Sequence, residues 1–229
     1  YEVGQHAPGR TDRTLAKQAA HHLLLAHGLA MPVLQANCPE ALNGIVLNLG
    51  ACQPQSASPE DQEAAEWANQ EFNQWYAGPV LQGAYPPLLE RLPQSERPPI
   101  EDGDLATIHQ PLDFLGVNYY TRGRFRAGDG LFEGVEEPGL PVTDMGWEVY
   151  PQGLPEVLDD LARRYRLPPI YITENGSAWS DDLADGEVHD PERLAYLAQH
   201  LQATEEAIRR GADVRGYFVW SLMDNFEWS

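Results

Sequence analysis

Cysteine is scarce. Cys38 and Cys52 are the only two in 229 residues, and they form no Cys-x-x-Cys pair. Neither a zinc knuckle nor a redox dithiol is signalled, and two free thiols are expected. Positive charge is scarce too, with 15 Lys plus Arg against 35 Asp plus Glu and a formal charge of −20. A surface of that sign repels a phosphate backbone, so nucleic acid is excluded as a partner and the excess acid reads as solubility. No apolar run approaches the roughly 20 residues that span a bilayer. The longest are strand-sized, such as Ile45-Val46-Leu47, and no membrane partner is expected. No leader pattern opens the chain, which points to the cytoplasm. Residue 1 is nevertheless Tyr rather than Met, so the true N-terminus is expected upstream. No Gly-x-Gly-x-x-Gly, Gly-x-Ser-x-Gly or His-Glu-x-x-His occurs, which removes support for nucleotide binding, serine hydrolase chemistry and a zincin site. His21, His22 and His27 have no carboxylate at ligand spacing and read as packing residues. Neither a metal nor a cofactor is implied.

What is present is a chain with 42% hydrophobic residues, enough to bury a core. Residues 14–31 carry Leu15, Ala19, Leu23 and Ala26 at helical spacing, with Thr11 or Asp12 as cap and Pro32 at or just past the end. Residues 44–49 are apolar without alternation, as expected of a parallel strand buried on both faces. Ser58 caps the next helix, with Pro59 at its first position and Glu60 and Asp61 facing the positive end of the dipole. That helix is expected to stop at Gly78-Pro79. Further strands are expected at 114–119, 170–173 and 216–220, and further helices at 154–165 and 190–211. In the last helix Leu194, Leu197, Ala198, Leu201 and Ile208 are expected to form the buried face. The alternation of helix and strand is that of an α/β protein with a parallel sheet. Segments 121–147 and 174–187 are far longer than such links require, and long loops after strands are where a (β/α)8 barrel keeps its chemistry. No repeat, linker or composition shift divides residues 1–229, which read as a single domain.

Ile172-Thr173-Glu174-Asn175-Gly176 places a carboxylate at the C-terminal end of a buried strand. A Glu there is costly as a core residue but can point into a pocket and attack an electrophilic carbon. Alone the signal is modest, because a Glu before an Asn-Gly turn is common. In residues 216–229 aromatics surround two acids just beyond a strand, a combination suited to stacking on sugar C–H faces while carboxylates grip hydroxyls. The bland alternative is a Trp-rich core corner. In Asp113-Phe114-Leu115-Gly116-Val117-Asn118-Tyr119-Tyr120-Thr121, Asn118 or Tyr120 can reach a neighbouring carboxylate, or merely satisfy the strand end.

Taken in this order, the three segments resemble glycoside hydrolase family 1, the retaining β-glucosidases and their relatives. Residues 1–28, with His6-Ala7-Pro8-Gly9, also look like the family's fourth helix region. The resemblance implies a (β/α)8 TIM barrel, of which this chain is roughly the second half, from the end of the fourth βα unit to the eighth strand, incomplete at both ends. It implies that Glu174 is the nucleophile and that Tyr120 orients it. Asn118, Trp220, Glu227 and Trp228 are implied as glycone contacts and Trp147 as the aromatic at the aglycone entrance. The substrate implied is a β-glucoside or short oligosaccharide, with glucose, galactose or fucose compatible as glycone. The family's acid/base Glu lies in an Asn-Glu-Pro motif that this chain does not contain. Glu136-Glu137-Pro138 lacks the Asn and reads as a decoy, so the acid is expected shortly before residue 1. Residues 1–229 alone are therefore expected to be inactive, and to self-associate through exposed sheet edges. Two rival readings are a noncatalytic sugar-binding protein on the same fold and a 6-phospho-β-glycosidase. Glu227 weighs against the latter because a carboxylate repels a substrate phosphate.

Overall fold

Four short runs rich in Ile, Leu and Val lie side by side in a parallel sheet, and they set the frame of the molecule. The structure is a computed structural model that describes residues 1, 3–223 and 225. In chain order the elements are α1 (Arg13–Asn37), β1 (Gly44–Asn48), β2 (Ala51–Pro54), α2 (Pro59–Asn69), α3 (Trp75–Gln82), α4 (Leu88–Arg91), α5 (Asp104–Ile108), β3 (Phe114–Asn118), β4 (Arg122–Arg126), β5 (Glu133–Gly134), α6 (Gly153–Arg164), β6 (Ile170–Asn175), β7 (Leu183–Ala184), β8 (Glu187–Val188), α7 (Pro191–Arg209) and β9 (Val214–Val219). The main sheet has the order β1-β3-β6-β9, every pair parallel. Successive strands are thus spatial neighbours with no reversal of order, which is the winding of a barrel rather than of a doubly wound sheet. Leu115 and Ile172 of the sheet meet Ala77 of α3, Leu154 and Leu158 of α6, and Ala207 of α7 in the largest apolar cluster.

Several expectations need correction. Strand β1 is not buried on both faces: it is an edge strand, and Val46 is exposed. Pro32 does not end α1, which runs to Asn37 with Pro32 inside it. The ring removes one hydrogen bond, to the Gly28 carbonyl, yet the helix continues through residues 32–37, all of them exposed. Gly78-Pro79 does not end the helix opened by Ser58, whose hydroxyl does accept from the Asp61 N–H. After Asn69 the chain widens into one π-turn over Gln70–Gln74, resumes as α3 through Pro79, and stops at Gly83, which takes the left-handed conformation (φ 69°). The π-turn turns Gln70, Glu71, Asn73 and Gln74 inward, all buried. Asn73 brackets Gly50, accepting from its N–H (3.1 Å) and donating to its carbonyl (2.8 Å), and so fixes the turn just past β1. Glu71 pairs with the buried Lys17 of α1, whose ammonium lies 4.0 Å from the Trp75 ring.

The two segments read as long loops contain strands. Within 121–147, β4 pairs parallel with β2 and antiparallel with β5, forming a second, three-stranded sheet. The Arg-Gly-Arg-Phe-Arg run of β4 hides the usual apolar signal. Its arginines are held by acids from outside the strand, Arg122 by Glu148, Arg124 by Glu137 and Arg126 by Glu133. Within 174–187, β7 and β8 form a hairpin around Asp185-Gly186, both at positive φ (54° and 85°), the geometry for which Asp-Gly is favoured.

The face of α7 is also reversed. Leu194, Leu201 and Ile208 are exposed, and the buried residues are Tyr196, His200, Thr204 and Ala207. Two of the polar members bond back into the helix itself: His200 Nδ1 lies 2.8 Å from the Tyr196 carbonyl, and Thr204 Oγ1 donates to the His200 carbonyl at 2.8 Å. His200 Nε2 is fully buried and makes no hydrogen bond among the described residues. Burial lowers the imidazole to about 4 from an ordinary 6.5, against the opposing pull of the Tyr196 carbonyl. Between those values the unfolded chain binds a proton that the folded one refuses. The contribution is therefore complete above about pH 6.5, falls as pH drops toward 4, and changes no further below, on the order of 3 kcal/mol in all. Urea unfolding of the wild type and of His200→Phe across pH 4–7 is expected to show the steeper acid loss in the wild type. Parallel profiles would sink the assignment.

Candidate active site

The C-terminal ends of the four parallel strands lie at one rim, and the polar residues of the sequence motifs sit there. Strand β6 carries an irregularity against both neighbours: Val117 faces Ile172 but Asn118 faces Glu174, and on the other side Ile172 faces Tyr217 while Asn175 faces Val219. One extra residue is thus inserted in β6 between Ile172 and Glu174, and such bulges re-aim side chains at barrel rims. Thr173, the added residue, donates from Oγ1 to Asn118 Oδ1 at 2.6 Å, which holds the Asn118 amide at the floor. Tyr120, two residues beyond β3, donates from Oη to Glu174 Oε2 at 2.6 Å. That short hydrogen bond fixes which way the carboxylate faces at the strand mouth.

Above these residues opens a cleft of about 1100 Å³ lined by Asn118, Tyr120, Trp147, Glu174 and Trp220. Every motif residue that the sequence singled out within the described region therefore converges on one space. Glu227 and Trp228 lie outside the described residues. Trp147 leans on Tyr120, ring centroids 5.3 Å apart at 57°. The residue after it fixes that position: Glu148 accepts from Arg122 Nε (2.9 Å) and Nη2 (2.5 Å), and its carbonyl accepts from Thr121 Oγ1 (2.8 Å). The Arg122 hydrogen bond holds the Glu148 carboxyl below its ordinary range despite partial burial. The Arg122 guanidinium also lies 3.7 Å from the Tyr150 ring. On the third wall, Gly176 is required by close approach, because a Cβ there would collide with the Trp220 carbonyl.

Sequence reasoning missed several contributors to the cleft, among them Asn48, Trp179 and Arg193. Asn48 ends β1 in register with Asn118, and its signal was a polar residue closing an apolar strand. Trp179 donates from its indole N–H to Ser177 Oγ at 2.8 Å. Arg193, at the start of α7, donates to the Ser177 carbonyl (3.2 Å) and pairs with Asp181 and Asp190, so the loop after Glu174 is tied to the helix that follows it. No local pattern marks either Trp179 or Arg193. The Glu136-Glu137-Pro138 decoy stands away from this space, with Glu137 bound to Arg124.

A carboxylate at a strand mouth, oriented by a phenol and walled by tryptophans, is an arrangement suited to glycosyl chemistry. Comparison decides the family, since the glycosyl hydrolase family 1 model matches residues 1–229. The chain belongs to glycosyl hydrolase family 1. It is 41% identical over 234 residues to a β-glucosidase of Agrobacterium sp. (strain ATCC 21400), covering 99% of this chain and 50% of that protein. It is 38% identical over 231 residues to β-glucosidase A of Thermotoga maritima, covering 99% and 52%. Among solved structures, the virulence factor SghA from Agrobacterium tumefaciens in complex with its substrate analog salicin superposes with a TM-score of 0.94 at 40% identity, covering all of this chain and 52% of that one. This family 1 chain spans about half the length of the curated relatives it matches, and its four parallel strands form half of a (β/α)8 barrel. Among the described residues of this family 1 chain no group of three His, Cys, Asp or Glu is placed to hold a metal ion, and no helix is long and apolar enough to cross a membrane.

Proposed function

We propose that this chain supplies the nucleophile half of a retaining β-glucosidase. In this reading a Glu174 oxygen bonds to the anomeric carbon of a β-glucoside as the bond from that carbon to the leaving oxygen breaks, and a second carboxyl gives the leaving oxygen its proton. The same carboxyl then takes a proton from water, which releases the sugar from Glu174 with its configuration retained. The observation that carries the reading is the 2.6 Å hydrogen bond from Tyr120 to Glu174 inside an aromatic-walled cleft. The β-glucosidase relatives support the reaction class, and the salicin complex of a structural neighbour supports an aryl aglycone. The acid/base Glu is proposed to come from sequence before residue 1, about 5–5.5 Å from Glu174, so that residues 1–229 alone do not turn over substrate. Asn118, Trp220, Glu227 and Trp228 are proposed to hold the glycone and Trp147 to stack on the aglycone.

The test is mass spectrometry after incubation with 2-deoxy-2-fluoro-β-glucosyl fluoride, in which the fluorine slows release of the sugar from the nucleophile. One fluoroglucosyl group on the peptide carrying Glu174 is expected in the full-length protein, and none in residues 1–229. Reversible sugar binding without a label in the full-length protein would overturn the reading in favour of a sugar-binding protein.

A further inference from the structure

Behind the cleft lies a set of buried groups that the proposed reaction does not touch. Asn175, the residue after Glu174, is fully buried. Its Nδ2 donates to the Tyr119 carbonyl at 2.7 Å and to Tyr196 Oη at 3.2 Å, and its Oδ1 accepts from Tyr217 Oη of β9. Tyr196, from the middle of α7, in turn donates to the Tyr120 carbonyl at 3.0 Å. The polarity of this chain is forced. A carbonyl can only accept, so the Asn175 amide nitrogen must face Tyr119, which leaves its oxygen to the Tyr217 hydroxyl. The Tyr196 hydroxyl must then accept from Asn175, and its single proton is committed to Tyr120. Burial pushes both the Tyr196 and the Tyr217 phenols well up, so both stay protonated donors.

The targets of these bonds matter more than their number. The Tyr119 and Tyr120 carbonyls belong to the two peptide planes on either side of the Tyr120 Cα. Fixing both planes fixes the direction of the Tyr120 Cα–Cβ bond, and hence where the phenol ends. The same Asn175 side chain is covalently next to Glu174, and the Tyr119 N–H donates to the Glu174 carbonyl at 3.0 Å. A sideways shift of β3 against β6 would therefore break the bracket before it could lengthen the Tyr120–Glu174 bond. Tyr196 is itself seated against the His200 ring, centroids 3.9 Å apart.

We infer that Asn175 and Tyr196 are positioning residues for the proposed nucleophile, acting through Tyr120: their bracket aims the Tyr120 phenol at Glu174 and so sets the carboxylate's orientation. The inference rests on the proposed glycosidase reading. It gives α7, a helix on the outer layer, a part in the chemistry of the rim.

The test is a double-mutant cycle in the full-length protein with Tyr196→Phe, Tyr120→Phe and the pair. Tyr196→Phe removes one hydroxyl and adds no bulk. It is expected to lower kcat and the rate of fluoroglucosyl labelling of Glu174 about tenfold, because small misplacements at a reacting centre are costly, with KM changed less than about twofold. In the Tyr120→Phe background the same change is expected to cost less than about twofold, since the route through Tyr120 is gone. Tyr217→Phe, which cuts the bracket from the other side, is expected to act in the same direction and provides a second readout should Tyr196→Phe fold poorly. Equal losses in both backgrounds, or a lowered Tm with kcat and the labelling rate unchanged, would reduce the bracket to packing and overturn the inference alone. A wild type that is neither turned over nor labelled would overturn the glycosidase reading and this inference with it.

Discussion

Glu174→Gln in the full-length protein is expected to lower β-glucoside turnover by about 10⁴-fold or more, while leaving the Tm within a few degrees of wild type. The substitution keeps shape and volume, and the amide oxygen can still accept from Tyr120 Oη, so the 2.6 Å contact has a neutral counterpart. On the proposed reading, what is lost is the carboxylate oxygen that bonds to the anomeric carbon. Removing a covalent nucleophile is among the most damaging single changes an enzyme can carry, with losses of about 10⁴ to 10⁶ in kcat where such groups act as a unit. Because the Thr173–Asn118 bond and the strand pairing do not involve the carboxylate, the floor of the cleft should persist. The check is kcat on an aryl β-glucoside beside a thermal melt. Turnover above about one hundredth of wild type would show that another group carries the attack.

The second large effect is on stability and lies far from the cleft. Glu71→Leu is expected to destabilise the fold by about 3–5 kcal/mol, because it withdraws the carboxylate from a buried ammonium and leaves the desolvation cost of Lys17 in place. Both side chains are almost wholly buried, at 6% and 5% exposure, and Arg13 reaches the same carboxylate from its exposed position at 3.4 Å. The double variant Lys17→Met with Glu71→Leu should recover most of the loss, since apolar groups of similar volume replace the pair without an uncompensated charge. Urea midpoints of the two single variants and the double variant measure this. A double variant as unstable as the sum of the singles would mean that packing around the Trp75 ring, rather than charge, holds the site.

The parts of the architecture that were legible share one property: a local pattern with one physical solution. Four apolar runs, each followed by a polar residue, gave the strands and the rim. Ser58-Pro59-Glu60-Asp61 gave a helix start that the structure reproduces with the Ser58 hydroxyl on the Asp61 N–H. The motif around Glu174 gave a carboxylate at a strand mouth. The failures are equally specific. On α7 the apolar positions were assigned to the core, yet Tyr196, His200 and Thr204 occupy it, because their polar atoms find partners in the turn before them or across the sheet. Polarity is a poor guide to burial when the hydrogen bonds come with the helix. At β4 the alternation was masked by arginines whose acids lie up to 26 residues away in sequence, as for Arg122 and Glu148. The Asp185-Gly186 hairpin was readable and was passed over. No local pattern could have shown that α7 reaches Tyr120, since that contact spans 76 residues.

The buried bracket around Asn175 bears on how the protein ages. Asn followed by Gly is the pair at which a mobile chain most readily closes to a succinimide and hydrolyses to aspartate, because glycine leaves the attacking backbone nitrogen unhindered. Here the amide is sealed from water and engaged on both of its polar atoms, and Gly176 is pressed against the Trp220 carbonyl. Neither the rotation nor the hydrolysis that this chemistry needs is open to the folded chain. Deamidation at residue 175 is therefore gated by unfolding, and each excursion to the unfolded state risks replacing a hydrogen-bond donor beside Glu174 with a second negative charge.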